Sequence, residues 1–164
     1  MLRYNEYIRK ANHQDCVILS QNLREADKAE LKALGKDDHP YVLLMQSMAF
    51  SSVCYTLFDP NDESIIAMLG VGPGIYEGSG VVWLLGSPKV DTHGFKFLRG
   101  SNEMLDHLFE ETKCSFFYNY VHEDNTVHIN WLTWLGFHFI RKVSTSRNTT
   151  FIEFVKINEG MHNV

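Results

Sequence analysis

Residues 115–137 restrict most tightly what this chain can fold into. They read Ser-Phe-Phe-Tyr-Asn-Tyr-Val-His, then Glu-Asp-Asn, then Thr-Val-His-Ile-Asn-Trp-Leu-Thr-Trp-Leu-Gly-Phe. The aromatic and β-branched run at 116–121 has the length and composition of a strand. Asn125 stands where a helix N-cap belongs, because its side chain can accept from the unpaired amides of a first turn. Gly136 closes the helix where a left-handed residue is wanted, since glycine enters that region without steric cost. A further strand is expected from His138 to Val143. The spacing of about 100° per residue places Val127, Trp131, Leu132, Trp134 and Leu135 on one broad apolar stripe with His128 in its middle. A histidine there is either buried with a hydrogen-bond partner or aimed into a pocket beside the strand.

The rest of the pattern completes a mixed α/β layout. A first edge strand is expected within 2–9, a helix opening at His13-Gln14-Asp15, and a second over 23–31 ended by Gly35. The charges of that second helix are spaced for pairing on a solvated surface. A third helix, 41–51, follows His39-Pro40, where proline suits a first turn. Strands at 53–58 and 64–71 flank the turn Asp59-Pro60-Asn61-Asp62. The glycine-rich 70–80 segment carries no Gly-x-x-x-x-Gly-Lys-Ser/Thr motif and reads as a mobile connection lining a site. Val81-Val82-Trp83-Leu84-Leu85-Gly86 is almost continuously apolar, as a central strand covered on both faces should be. After a loop through Asp91-Thr92-His93-Gly94, the longest helix is expected over 95–111, with Ser101 at the centre of its apolar face. Strand, helix, strand and a final strand at 149–157 then give a sheet with helices on both faces, in one domain spanning 1–164.

Composition excludes several function classes. The chain has 164 residues, 45% of them hydrophobic and 21% charged, which suits a globular protein with a real core. A net charge of −5 without a basic run argues against binding nucleic acid by phosphate neutralisation. Cys16, Cys54 and Cys114 are three, far apart, and form neither a disulfide framework nor a metal motif. The histidines lack His-x-x-x-His and His-Glu-x-x-His spacing, so no metal is expected. No stretch approaches the length of a membrane span, and the N-terminus lacks the apolar centre of a signal peptide. The expectation is a soluble protein of the cytoplasm, or one packaged inside a particle made there.

Asn125 followed eleven and twelve residues later by Gly136-Phe137 resembles the closing signature of the GCN5-related N-acetyltransferases. A narrower resemblance is to the internal virion protein A group of short-tailed bacteriophages, an acetyltransferase-like fold carried among particle genes. It is similar in Trp83-Leu84-Leu85, in Asn119-Tyr120-Val121, and in Asn125 with His128-Ile129, and covers 81–157 best. The resemblance implies a mostly antiparallel sheet with a central parallel pair. It implies acetyl-CoA as cofactor, an amine as acceptor, and other phage proteins as further partners. Backbone groups of Trp83, Leu84, Leu85 and Gly86 would hold the pantetheine arm, together with Asn119 and Asn125. Amides at the start of the long helix, near Gly94, would receive the pyrophosphate. Leu132 stands where the family often places a tyrosine that protonates the departing thiolate. The family's Arg/Gln-x-x-Gly-x-Gly/Ala loop corresponds to Lys89-Val90-Asp91-Thr92-His93-Gly94-Phe95, with one glycine. The amine must lose a proton before it attacks, and Glu77, His122, Glu123 and His128 are the candidate acceptors. His128 is also placed to replace the missing acid. The alternative reading is a virion or assembly protein that keeps the fold with catalysis weakened or gone.

Overall fold

The computed structural model describes residues 6–162, with backbone alone at 94–99 and 161–162. The order is β1 (Ile8–Lys10), α1 (His13–Ser20), α2 (Glu25–Ala33), α3 (Pro40–Phe50), β2 (Val53–Phe58), β3 (Ile65–Pro73) and β4 (Ser79–Gly86). Then come α4 (Lys89–Thr112), β5 (Phe116–His122), α5 (Thr126–Trp134), β6 (His138–Ser144), β7 (Thr150–Ile157) and a short 3₁₀ turn, Glu159–His162. The strands form one sheet ordered β1-β2-β3-β4-β5-β7-β6. Every pair is antiparallel except β4 with β5. No helix among the described residues is long and apolar enough to cross a membrane.

The sheet divides two cores. On one face β2, β3 and β5 pack against α4 and the end of α5 through Leu57, Leu69, Leu105, Leu108, Phe117 and Leu135. Phe109 stacks on Phe117 with centroids 3.9 Å apart. On the other face Cys16, Leu19 and Leu44 of α1 and α3 cover Ile65, Met68 and Leu85. Alternation along β4 sends Val82 and Leu84 to the first core and Trp83 to the second. Trp83 Nε1 donates to Ser51 Oγ at 2.7 Å, fixing the ring against the end of α3.

Four expectations are corrected. The long helix begins at Lys89, so Gly94 lies within it rather than at its start. Pro88 presets the entry, and Ser87 Oγ accepts the Lys89 amide while its hydroxyl donates to Ile65 and Ile66 carbonyls. The helix therefore starts directly off the strand. The glycine-rich segment is mostly sheet: Gly70, Gly72 and Pro73 belong to β3 and Gly80 to β4, around a tight turn. Gly72 serves close packing, because a Cβ there would overlap the Phe50 ring of α3. Val127 and Trp134, seven residues apart on one flank of α5, are 42% and 57% exposed, so the inward stripe is His128, Trp131, Leu132 and Leu135. The first strand is three residues long, and the part of its expected range at 2–5 lies outside the described residues. Gly136 has φ +83°, the left-handed stop that the sequence called for.

Candidate active site: the cleft between β4 and β5

The parallel pairing of β4 with β5 is short. It runs through Ser79 with Phe116, Gly80 with Phe117 and Val81 with Tyr118, and then the strands part. At the fork, Asn119 Nδ2 donates to the Val82 carbonyl at 2.7 Å. Val82 and Gly86 both turn their backbone groups toward the gap. With a strand period of two, Leu84 does so as well. Its N–H and C=O lie beyond the reach of the β4–β5 ladder. The two strands carrying Trp83 and Asn119 thus lie side by side and open at one end.

The gap is a cavity of about 190 Å³, walled by Val82 and Leu84 of β4, Leu105 of α4, Trp131 and Leu132 of α5, and Leu135 just after it. Trp131 Nε1 donates to Ser101 Oγ at 3.2 Å, so the small residue of α4 receives the indole of α5. Leu132 contributes apolar wall. On the opposite side Leu31, Lys36 and Ser47 continue the cavity into a groove of about 470 Å³ between α2 and α3. That groove carries Asp37, Asp38 and the half-exposed Phe50. Arg147 of the β6–β7 turn pairs with both oxygens of Asp37, at 2.6 and 3.2 Å.

The mouth of the gap, at the end of β4, is occupied by a buried polar cluster from α2. Arg24 N donates to the Gly86 carbonyl at 2.8 Å, and Asp27 Oδ2 accepts the Gly86 amide at 2.7 Å. Arg24, 3% exposed, sends Nη1 to Asp27 Oδ1 at 3.0 Å and to His128 Nε2 at 2.9 Å. Its Nη2 reaches Asp91 of α4 at 3.2 Å and Asn125 Oδ1 at 3.4 Å. Glu30 Oε1 accepts from the His122 amide and from Asn125 Nδ2, both at 2.9 Å. The Arg24 guanidinium thus ties the start of α2 to α4 and α5, while the Arg24 amide and the Asp27 carboxyl hold the end of β4.

Burial sets the electrostatics here. It pushes the Asp27 carboxyl up to about 7, against the opposing pull of Arg24 and the Gly86 amide. It also raises Glu30, against the hydrogen bonds from Asn125 and His122. Burial, with Arg24 beside it, pushes His128 down to about 3. His128 is therefore neutral, with the Nε2 lone pair given to Arg24. Asp27, Glu30 and His128 each bring a ligating atom within 4.8 Å of the others. Arg24 donates to two of the three, so a guanidinium already supplies positive charge at that spot.

The fold brings together most of the residues singled out from the sequence, in altered roles. Asn125 is the residue before α5 but makes no capping bond, because Glu30 and Arg24 take its side chain. Trp83, Leu84 and Leu85 border the cavity, and Gly86 ends at its mouth. Asn119 sits at the fork. His122 closes β5 with Nδ1 accepting the Asp124 amide at 3.1 Å, and its ring stands edge-on to Phe151. Exposed Glu123 pairs with Lys142 at 3.5 Å. Glu77 is elsewhere: it lies in the β3–β4 turn, at the closed end of the fork. The length of β4, about 23 Å at 3.3 Å per residue, separates that turn from the mouth. Arg24, Asp27 and Glu30 were expected among the solvated charges of the second helix; the structure buries Arg24 and Asp27 instead, and their spacing of three sets all three on one side of α2 and its N-cap.

No protein-family model matches the chain, and no curated protein matches it in sequence. Solved structures do match over nearly its whole length. The ribosomal-protein-S5-alanine acetyltransferase of Vibrio fischeri superposes with a TM-score of 0.68, at 14% identity over 96% of each chain. A GNAT-family acetyltransferase of Bacillus anthracis gives 0.71, at 12% identity over 93% of this chain and 94% of that one. The fold is that of the GNAT acetyltransferases. Spermidine N-acetyltransferase of Vibrio cholerae, in complex with CoA and spermine, gives 0.69 at 12% identity, over 93% of this chain and 95% of that one.

Proposed function

We propose that this protein is an acyl-CoA-dependent N-acyltransferase that moves an acetyl group to an amine, with the pantetheine arm of the donor lying in the β4–β5 gap. The observation that carries this reading is Leu84, whose outward N–H and C=O are free of the β5 ladder beside an apolar cavity of about 190 Å³. An extended amide-bearing arm can pair with such an edge as an added strand would. The volume lies below the roughly 300–1,000 Å³ of sites for whole drug-sized ligands, which suits a slender arm. Leu84 would supply the edge, since alternation turns the backbone groups of Trp83 and Leu85 to β3 and the Val82 carbonyl is taken by Asn119, which ties the strands where the fork begins. Bound acetyl-CoA would contribute the activated thioester carbonyl.

The acceptor side follows from the groove between α2 and α3. Asp37 is paired with Arg147 and Lys36 lies beside it, so Asp38 is the acidic group left to meet a cationic amine, with Phe50 as an apolar side for an aliphatic body. The matching structures are named for acetylation of spermidine and of an alanine of ribosomal protein S5, in keeping with an amine acceptor. His122 Nδ1 accepts the Asp124 amide, which leaves the proton of the neutral ring on Nε2, so His122 is placed to donate a hydrogen bond to the site rather than to take the amine's proton. Glu77 lies in the β3–β4 turn beyond the closed end of the fork, and His128 is committed to Arg24.

A second reading is favoured by the Gly86 contacts and by Leu132: the fold is kept, acyl transfer is lost, and the protein serves as a phage virion or assembly component. A thermal-unfolding titration with CoA separates the two. Ligand at a hundred times its dissociation constant adds about 2.7 kcal/mol to stability, and the first reading requires an upward shift. No shift at millimolar CoA supports the second.

A further inference from the structure

The turn that opens α2 occupies the end of the same β4 edge. Gly86 is the last residue of β4, and both of its gap-facing groups are taken, the amide by Asp27 Oδ2 and the carbonyl by Arg24 N. Asp27 Oδ1 meanwhile accepts from Arg24. A single carboxylate therefore bridges one backbone amide of the strand and one buried cation. A donor arm leaving the gap by this mouth would need both: an acceptor for the strand amide and, at its phosphates, a cation. The first turn of α4 offers little instead, since Asp91 faces the mouth. Arg24 is held between two carboxylates, and its buried Nε makes no hydrogen bond among the described residues.

We propose that Asp27 is a built-in stand-in for the acyl donor, and that Arg24 is the residue that receives the donor's phosphates when Asp27 lets go. This rests on the acyl-CoA reading above and adds the source of the phosphate-binding charge, which comes from α2. The exchange is of counter-ions only: no bond is made or broken covalently, and Arg24 keeps its place between α4 and α5. Donor binding and the Asp27–Gly86 contact are mutually exclusive.

Calorimetric titration with CoA and with pantetheine, which lacks the phosphates, tests this on the full chain. Asp27→Ala binds CoA at least tenfold more tightly than the unaltered protein. The double variant Arg24→Gln/Asp27→Ala, which removes both buried charges together, loses at least tenfold of CoA affinity relative to Asp27→Ala. The two variants bind pantetheine equally. Should Asp27→Ala fold poorly, the carboxyl ¹³C resonance of Asp27 in the unaltered protein serves instead, and it moves when CoA saturates the site. Equal CoA affinity with and without Asp27, or an Asp27 resonance unmoved in the CoA complex, overturns the proposal and leaves the acyl-CoA reading standing. Failure of every folded variant to bind CoA removes both.

Discussion

Asn119 Nδ2 reaches the Val82 carbonyl at 2.7 Å and is the last tie between β4 and β5 before they separate. Its Oδ1 accepts the neighbouring Tyr120 amide at 2.8 Å, so the side chain is fixed at both ends. A side-chain amide here does what the next backbone rung would have done, while leaving the strands free to diverge. Asn119→Ala leaves the half-buried Val82 carbonyl and Tyr120 amide without these partners. The expected cost is about 1–3 kcal/mol, the usual penalty for stranding a buried polar group. Urea denaturation measures it, and a loss below about 0.5 kcal/mol would show that the fork holds without this tie.

Glu30 supports the mouth through two donors on other elements, the His122 amide and Asn125 Nδ2. Glu30→Gln keeps a carbonyl oxygen for both and should change stability by less than about 1 kcal/mol. Glu30→Ala strands both donors and should cost about 2 kcal/mol or more. Equal stabilities for the two variants would show that the carboxylate is not the anchor.

The pH dependence of stability carries two opposed signals. His128 lies near 3 when folded and near 6.5 when unfolded. Between those values the unfolded chain takes up a proton that the folded one refuses, so stability rises with pH. Asp27 lies near 7 when folded and near 3.8 when unfolded. Through that window the folded chain keeps a proton that the unfolded one has lost, so stability falls as pH rises. Each slope reaches at most about 1.4 kcal/mol per pH unit, and the two offset one another between about pH 4 and 6.5. His128→Gln, which keeps an acceptor for Arg24, should unmask the fall, and Asp27→Asn should unmask the rise. Arg24, Glu30, Asp91 and His122 face the cluster in all three proteins, so differences between the profiles isolate the two groups. Guanidinium midpoints from pH 4 to 7.5 give the profiles, and three parallel curves would contradict the assignment.

Trp83 fixes the outer wall of the gap through Ser51. Trp83→Phe removes that bond and should cost about 1 kcal/mol beyond the loss of ring area. A double-mutant cycle with Ser51→Ala isolates the coupling. A coupling near zero would assign the indole to packing alone.

The elements were legible in the sequence wherever local pattern decides them. The β2–β3 hairpin, the proline-led α3 and the glycine stop at 136 follow from turn chemistry and apolar period, and the structure has them within a few residues. The start of α4 was not legible, because Asp91, Thr92, His93 and Gly94 read as loop. What overrides their propensities is the anchoring of Ser87 to β3 and of Lys89 to Asp59 and Asp62. The fork was anticipated from Trp83 and Asn119. The cluster that closes its mouth was not, because Arg24, Asp27 and Glu30 read as a solvated helix face. Their partners lie far along the chain, Gly86 of β4 for Asp27 and His122, Asn125 and His128 for Glu30 and Arg24, and no local pattern signals such burial.

The most direct test is amide hydrogen exchange at Leu84, followed by NMR with and without CoA. If the donor arm pairs with the free edge of β4, the Leu84 amide becomes markedly protected when CoA is added, while the amides of β1, three strands away in the sheet, do not change. A Leu84 amide that exchanges at the same rate in millimolar CoA would contradict an acyl donor in this gap.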